Sequence, residues 1–416
     1  MLLHLQSAFG ICVIVALAWL LSEDRRAFPW RTVVAGLALQ AALALLLLKV
    51  PVARDGLLAL NGAVDALSIA TKAGTSFVFG MVGGAAPPFA VTNPAGMVSL
   101  AFQILPLVIV ISALSALLWH WRILPVIVKA FGYALHKLLG IGGALGLGSA
   151  ATIFLGMIEA PLLIRPYLSR LTRSELFMLM SVGLASVAGT VFFLYASILK
   201  DTVPSALGHI LIASMMSLPA AILIARIMVP GEAGVATDGE SDLKYRSSMD
   251  AVARGTEVGL QIYLQMLAML IVMVALIALA DTILRNGPWV WGEPLSLERI
   301  FGWLFAPVVW LFGVPWSEAV TAGSLMGIKT ILNELIAYLH MAALPKGALD
   351  PRASLIMVYA MCGFANLGSV GIMIAGLSTL MPERRDEIVP LAMRALVSGT
   401  MASGLTGAMI GFLPIV

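Results

Sequence analysis

Apolar residues run along this chain in blocks of helix length, separated by short polar and basic interruptions. A helix needs about 20 consecutive apolar residues to cross the hydrocarbon core of a bilayer. Residues 6–21, 33–52, 97–119, 206–229, 259–282 and 390–414 meet that requirement without interruption. Residues 176–199 and 354–380 have the length, but Gly and small polar residues occupy their centres. Residues 142–164 and 315–342 form a third type, apolar but broken by Glu with Pro or Asn and followed by basic residues. That pattern predicts two re-entrant helical hairpins, each entering and leaving on one side. Non-helical backbone at such depth is tolerated only where protein or a cavity surrounds it.

Three further stretches mix charge with apolar residues, as helices lying in the headgroup region do. They are residues 55–72 (with Asp55, Asp65 and Lys72), 122–138 (with Arg122, Lys129, His136 and Lys137) and 242–257, which follows a polar linker, Gly231–Ser241. The first apolar block lacks a basic leader, and Ser22-Glu23-Asp24-Arg25-Arg26 follows it in place of a small-residue cleavage site, so it reads as a retained span. Lys and Arg set the orientation. With the N-terminus outside, the inner side receives Arg25, Arg26, Arg122, Lys129, Arg165, Arg170, Arg173, Arg384 and Arg385 among others, and the outer side fewer, chiefly Arg54, Lys200, Arg285, Arg299, Lys346 and Arg352. The expected fold is an all-α polytopic membrane protein with eight transmembrane helices and two opposed re-entrant hairpins. Residues 1–140 hold scaffold spans and interfacial helices, 141–230 a first transport repeat, 231–312 a linker and scaffold span, and 313–416 a second transport repeat.

Composition narrows the function. The chain of 416 residues is 60% hydrophobic and 11% charged, against about 25% charged in soluble domains, so its surface faces lipid. A net charge of +3 scattered among apolar runs gives no nucleic-acid footprint. Cys12 and Cys362 lie in apolar runs and read as small buried hydrophobes. The five histidines are dispersed, and no Ser–His–Asp arrangement or phosphate-cradling glycine loop occurs, so enzyme chemistry is not indicated.

Two carboxylates then stand out: Glu159 in Gly156-Met157-Ile158-Glu159-Ala160-Pro161, and Glu334 in Leu332-Asn333-Glu334-Leu335. A carboxylate at mid-bilayer costs about 2.5–3.5 kcal/mol on insertion scales, so such residues usually face a cavity and serve a substrate, ion or proton. The structural alternative pairs Glu159 with Arg165 and satisfies Glu334 through Asn333 and Tyr338; Lys329 lies more than one helical turn from Glu334. Shortly after each glutamate comes an interrupted segment, Leu184-Ala185-Ser186-Val187-Ala188-Gly189 and Phe364-Ala365-Asn366-Leu367-Gly368-Ser369. These are similar in size and polarity more than in identity. Small residues at helix contacts would also explain them, but with a Glu-bearing hairpin before each, an inverted repeat of broken helices fits better. Ser186, Asn366 and Ser369 sit among glycines, where unwinding a helix costs about 1 kcal/mol less per site. Their hydroxyls and amide serve either a ligand or merely the preceding turn.

In these residues the chain resembles the concentrative nucleoside transporter family, over essentially its whole length. The resemblance is strongest in Gly156–Leu168, Gly183–Gly189, Gly313–Ala319, Asn333–Tyr338 and Cys362–Ser369, the last followed by Pro382-Glu383-Arg384-Arg385-Asp386. It implies a homotrimer in the bacterial inner membrane that imports nucleosides with a coupling cation by alternating access, without an organic cofactor. Carried over by position, Glu334, Asn366 and Ser369 bind ribose hydroxyls and Phe364 lies against the nucleoside. Gly156, Met157, Ile158, Glu159 and Val191 surround the base. Thr152, Leu155, Ser186 and Val187 hold sodium, Leu155 and Val187 through their carbonyls. Two departures matter. The family's Gln-Thr pair is Met157-Ile158 here, which removes two polar side chains from the base side. Its asparagine sodium ligand is Thr152, which keeps proton coupling as a rival to sodium. A transporter of a modified nucleoside or other ribosylated compound, a passive channel, and an intramembrane hydrolase using Glu159 and Glu334 as an acid pair are the competing functions. The hydrolase has no nucleophile or metal ligands nearby in its favour.

Overall fold

The computed structural model describes residues 2–89, 97–231, 244–287, 289–290 and 294–414. Its first part holds α1 (Leu2–Leu20), α2 (Trp30–Lys49), α3 (Pro51–Phe79), α4 (Leu107–His120) and α5 (Ile123–Leu139). The first hairpin follows as α6 (Gly143–Leu155) and α7 (Glu159–Leu163), with the short α8 (Arg165–Leu168) after it. The first broken span is α9 (Arg173–Ala185) and α10 (Gly189–Leu199), and α11 (Ala206–Met228) and α12 (Ser248–Arg285) complete the middle of the chain. Then come α13 (Leu297–Leu311), the second hairpin α14 (Trp316–Ile331) and α15 (Glu334–Ala343), the second broken span α16 (Pro351–Met361) and α17 (Leu367–Leu380), and α18 (Arg385–Phe412).

Among the described residues seven helical stretches have the length and hydropathy to cross a bilayer, and the two shorter helices α16 and α17 stand where the eighth span is expected. The predicted breaks fall where glycine and small polar residues were concentrated, at residues 186–188 and 362–366. Both hairpins turn where expected, at residues 156–158 and 332–333.

Three expectations need correcting. The separate interfacial helix at 242–257 and span at 259–282 are one helix of 38 residues, α12, about 57 Å long at 1.5 Å per residue. Ser247 caps it through the Asp250 N–H, and Arg254 pairs with Asp250 one turn on at 3.0 Å, so its charged start is helical in its own right. Gly255 and Gly259 then seat it on α4, where any Cβ would come within 2.8 Å of Ser112, Ala113 or Ile109. Small residues four apart allow such close approach. The third short amphipathic helix is instead α13, which buries Gly302, Ala306 and Val309 and bends by 114° into α14. Cys12 is exposed on the outside of α1; only Cys362 is buried. The linker expected at Gly231–Ser241 lies, beyond Gly231, outside the described residues.

The broken span is the centre of the molecule. The most apolar windows of α9–α10 and α11 are 89% and 83% buried, whereas that of α12 is 6% buried. Polar groups gather at two ends. At one, Glu23 pairs with Arg173 at 2.9 Å and with Arg394 at 2.5 Å, and Arg384 donates to the Leu171 carbonyl. At the other, Arg352 donates to the carbonyls of Leu3, Gly313 and Gly411, and His4 meets the Phe412 carbonyl. At the first end lie Arg173 and Arg384, both assigned to the inner side from their charge; the second joins the first and last helices, as an even number of spans requires.

Candidate functional site

Both glutamates occupy the same local position, the first residue of the helix that follows a hairpin break. Backbone N–H groups in a helix's first turn have no partner within the helix, so a carboxylate there has donors beside it. For Glu159 these donors are its own N–H and that of Ile158. Gly156 makes the turn possible: its φ of +97° is a left-handed value that favours glycine, and a Cβ would lie 3.0 Å from the Glu159 carboxylate. Among the described residues no ion pair joins Glu159 to Arg165, which is exposed.

Glu334 is buried and held from two other elements. The Tyr195 hydroxyl of α10 donates to one carboxylate oxygen at 2.6 Å, and the Asn366 amide donates to the other at 3.2 Å. Asn366 also caps α17, its side-chain oxygen accepting from the Ser369 N–H at 2.8 Å. One amide therefore fixes the start of α17 and orients Glu334. The expected internal partners of Glu334 are engaged elsewhere: Asn333 accepts from the Ile336 N–H and Tyr338 donates to the Val358 carbonyl. Tyr338 instead packs its ring against that of Tyr195, with centroids 5.1 Å apart. Lys329, in the last turn of α14, is fully buried, and its ammonium has no hydrogen-bond partner among the described residues. It attracts Glu334 across a gap too wide for an ion pair.

One cavity of about 190 Å³ gathers Gly156, Met157, Ile158, Glu159, Val191, Glu334, Phe364, Asn366 and Ser369, all nine residues assigned to substrate. Its polar groups lie mainly on the Glu334–Asn366–Ser369 side, and Met157, Ile158, Val191 and Phe364 give it apolar walls. Leu155 lines the same cavity. Thr152, Ser186 and Val187 are buried beside it, where the end of α6 meets the first break: a Cβ on Gly189 would lie 3.2 Å from the Ile153 and Phe154 carbonyls. The Thr152 hydroxyl donates to the Ser149 carbonyl at 2.6 Å and the Ser186 hydroxyl to the Val182 carbonyl at 2.9 Å. Each proton is committed to the helix's own backbone, leaving the oxygen lone pairs free to face a cation.

Sequence reasoning missed five further lining residues of consequence. Tyr195 follows Val191 by one helical turn, a spacing that could have revealed it. Thr190 is adjacent to Val191. Gln265, Met266 and Met269 come from α12, an otherwise distant part of the chain, and nothing local to the two repeats pointed to them.

Comparison with known proteins shows the family and the fold. Family models for the Na+ dependent nucleoside transporter match at residues 9–82 (its N-terminus) and 209–411 (its C-terminus), and a nucleoside recognition (Gate) model matches at 101–202. The chain is 37% identical to the uncharacterized transporter YutK of Bacillus subtilis, covering 97% of each chain. It is 35% identical to the nucleoside permease NupC of Helicobacter pylori, covering 97% of this chain and 96% of that one. Identity to the rat sodium/nucleoside cotransporter 1 is 30%, over 99% of this chain and 64% of that protein. Among solved structures, CNTnw in an inward-facing substrate-bound state superposes with a TM-score of 0.88 at 37% identity, over 98% of both chains. A CNTnw variant in an outward-facing state gives the same TM-score at 36% identity, over 99% and 98%.

Proposed function

The chain belongs to the Na+-dependent nucleoside transporter family and is a cation-coupled nucleoside symporter working by alternating access; we propose that Glu334, Asn366 and Ser369 hold the ribose hydroxyls and that Gly156, Met157, Ile158, Glu159 and Val191 surround the base. It is a multi-pass protein of the inner membrane. One observation carries the sugar assignment: Glu334 is clasped by the Tyr195 hydroxyl and the Asn366 amide at the wall of the cavity that Glu159 also lines. Each carboxylate oxygen accepts one bond from the protein and has capacity for another, so a ligand lacking hydroxyls forgoes charge-assisted hydrogen bonds and binds much worse. Phe364 supplies a flat apolar face beside Asn366.

For coupling we propose sodium, held by the hydroxyl oxygens of Thr152 and Ser186 and the carbonyls of Leu155 and Val187. Broken helices present such oxygens at their C-terminal ends, and α6 and α9 both end here. The rival, a proton carried by Glu159, is favoured by one observation: no cationic side chain pairs with Glu159 among the described residues. Residues 141–230 and 313–416 act as two transport repeats against a scaffold of 1–140 and 231–312, with α12 closing the cavity from the scaffold side. The protomers assemble as homotrimers; the apolar and largely uncovered surface of α12 suits contact with lipid or neighbouring copies.

Uptake of labelled uridine into proteoliposomes tests both parts. An imposed sodium gradient drives accumulation, and 2′,3′-dideoxyuridine competes at least about 100-fold less well than uridine, the loss expected for two hydrogen bonds to a charged group. Accumulation that ignores sodium and collapses with the pH gradient moves the coupling to Glu159. Equal competition by the dideoxy compound removes the sugar assignment.

A further inference from the structure

The two broken spans are hydrogen-bonded to each other. At the first break, the Ser186 carbonyl leaves its helix and accepts the Phe364 N–H of the second break at 3.2 Å. The next residue, Val187, is gripped by Ser214 of α11, whose hydroxyl lies 3.3 Å from both its N–H and its carbonyl. At the second break the chain turns tightly on itself, the Gly363 N–H bonding to Met361 and the Asn366 N–H to Phe364, each at 2.8 Å. Contact between the breaks is close enough to require glycine: a Cβ on Gly363 would fall 2.6 Å from the Ala185 carbonyl oxygen. Backbone groups unpaired in an apolar interior cost several kcal/mol each. Neither break can therefore shift alone without stripping a partner from the other.

We propose that this backbone bridge, Phe364 N–H to Ser186 carbonyl with Gly363 seated on Ala185, transmits cation occupancy to nucleoside affinity. It rests on the reading that Ser186 and Val187 face the cation and that Phe364 and Asn366 face the nucleoside. The cation oxygens assigned at this break are the Ser186 hydroxyl and the Val187 carbonyl, so the Ser186 carbonyl is free for the bridge. A cation that fixes the backbone at 186–187 thereby fixes Phe364, two residues before the amide that orients Glu334. Gly363 and Ser214 act as positioning residues and touch neither ligand.

The test is calorimetric titration of purified full-length protein with uridine, in sodium chloride and in choline chloride of equal ionic strength. The readout is the ratio of the two dissociation constants. For the wild type a ratio in the range of about 5–150 is expected, as is usual for coupled sites. Gly363→Ala brings the ratio to within about twofold of 1 while sodium-free affinity changes less than about threefold, because coupling is lost rather than binding. Gly371→Ala, on the same span with nothing within 4 Å of the added Cβ, keeps the wild-type ratio. If Gly363→Ala does not yield monodisperse protein, Ser214→Ala decides, with a ratio lowered at least about threefold because Val187 loses its anchor. A folded Gly363→Ala with the wild-type ratio, or failing that Ser214→Ala with the wild-type ratio, overturns the bridge alone. A wild-type ratio of 1 overturns the sodium site and the bridge with it.

Discussion

The two hairpins place a glutamate at the same point, the first residue after the break, and then surround it differently. Glu334 is fixed by side chains from two other elements, Tyr195 and Asn366, and lies in the field of the buried Lys329. Glu159 is met chiefly by backbone N–H groups of its own turn and faces Met157 and Ile158. Groups locked by their neighbours hold one ligand geometry, whereas a group with a single local support adapts. On the proposed assignment, the second hairpin's glutamate holds the constant part of the substrate and the first hairpin's tolerates the part that varies.

The largest effect expected from this difference is on the second hairpin. Glu334→Gln removes the charged acceptor of two hydrogen bonds, each worth about 1.5–3 kcal/mol, so initial uptake rates at low substrate fall by about 10²–10⁴-fold. Glu159→Gln, which disturbs no interaction with another element, lowers them by less than about tenfold, the loss of a single ordinary hydrogen bond. The reverse order would break the comparison. Next in size, Tyr195→Phe deletes the 2.6 Å bond to Glu334 while keeping the ring against Tyr338, and weakens uridine binding about 10- to 100-fold in equilibrium titrations.

Much of the site, though not this asymmetry, was legible beforehand. Glu159 and Glu334 were conspicuous because a carboxylate amid apolar residues needs a reason, and the breaks at Ser186–Ala188 and Cys362–Asn366 showed in their glycines and small polar residues. Tyr195 was not, because a tyrosine in an apolar helix looks like core until its hydroxyl's partner is known, and that partner is 139 residues away. The continuity of α12 was also hidden. Charge at its start resembled a surface helix, and only the packing of Gly255 and Gly259 on α4 joins the two parts into one rod. For the same reason Gln265 and Met269, which reach the cavity from that rod, left no mark in the local pattern.

The smallest effect concerns the base. An apolar wall discriminates by only about 10–200-fold, whereas a site built to hydrogen-bond a group can reject an analogue lacking it by about 10⁴–10⁵. The native protein should therefore separate purine from pyrimidine nucleosides modestly, with Glu159, Thr190 and Gln265 as the polar groups available on the walls. Met157→Gln combined with Ile158→Thr sharpens that preference in competition assays. Native selectivity of several orders of magnitude would show that another residue reads the base.

The division of labour between the hairpins is tested most directly by a four-compound titration: uridine, adenosine and their 2′,3′-dideoxy forms, each bound to the wild type and to Glu159→Gln. Effects at independent sites add to within about 0.3–0.5 kcal/mol, or about twofold. The expected result is a large dideoxy penalty, similar for both bases and unchanged within about twofold by Glu159→Gln, while the uridine-to-adenosine ratio shifts. A dideoxy penalty that is absent in the wild type, or that collapses when only Glu159 is changed, would contradict it.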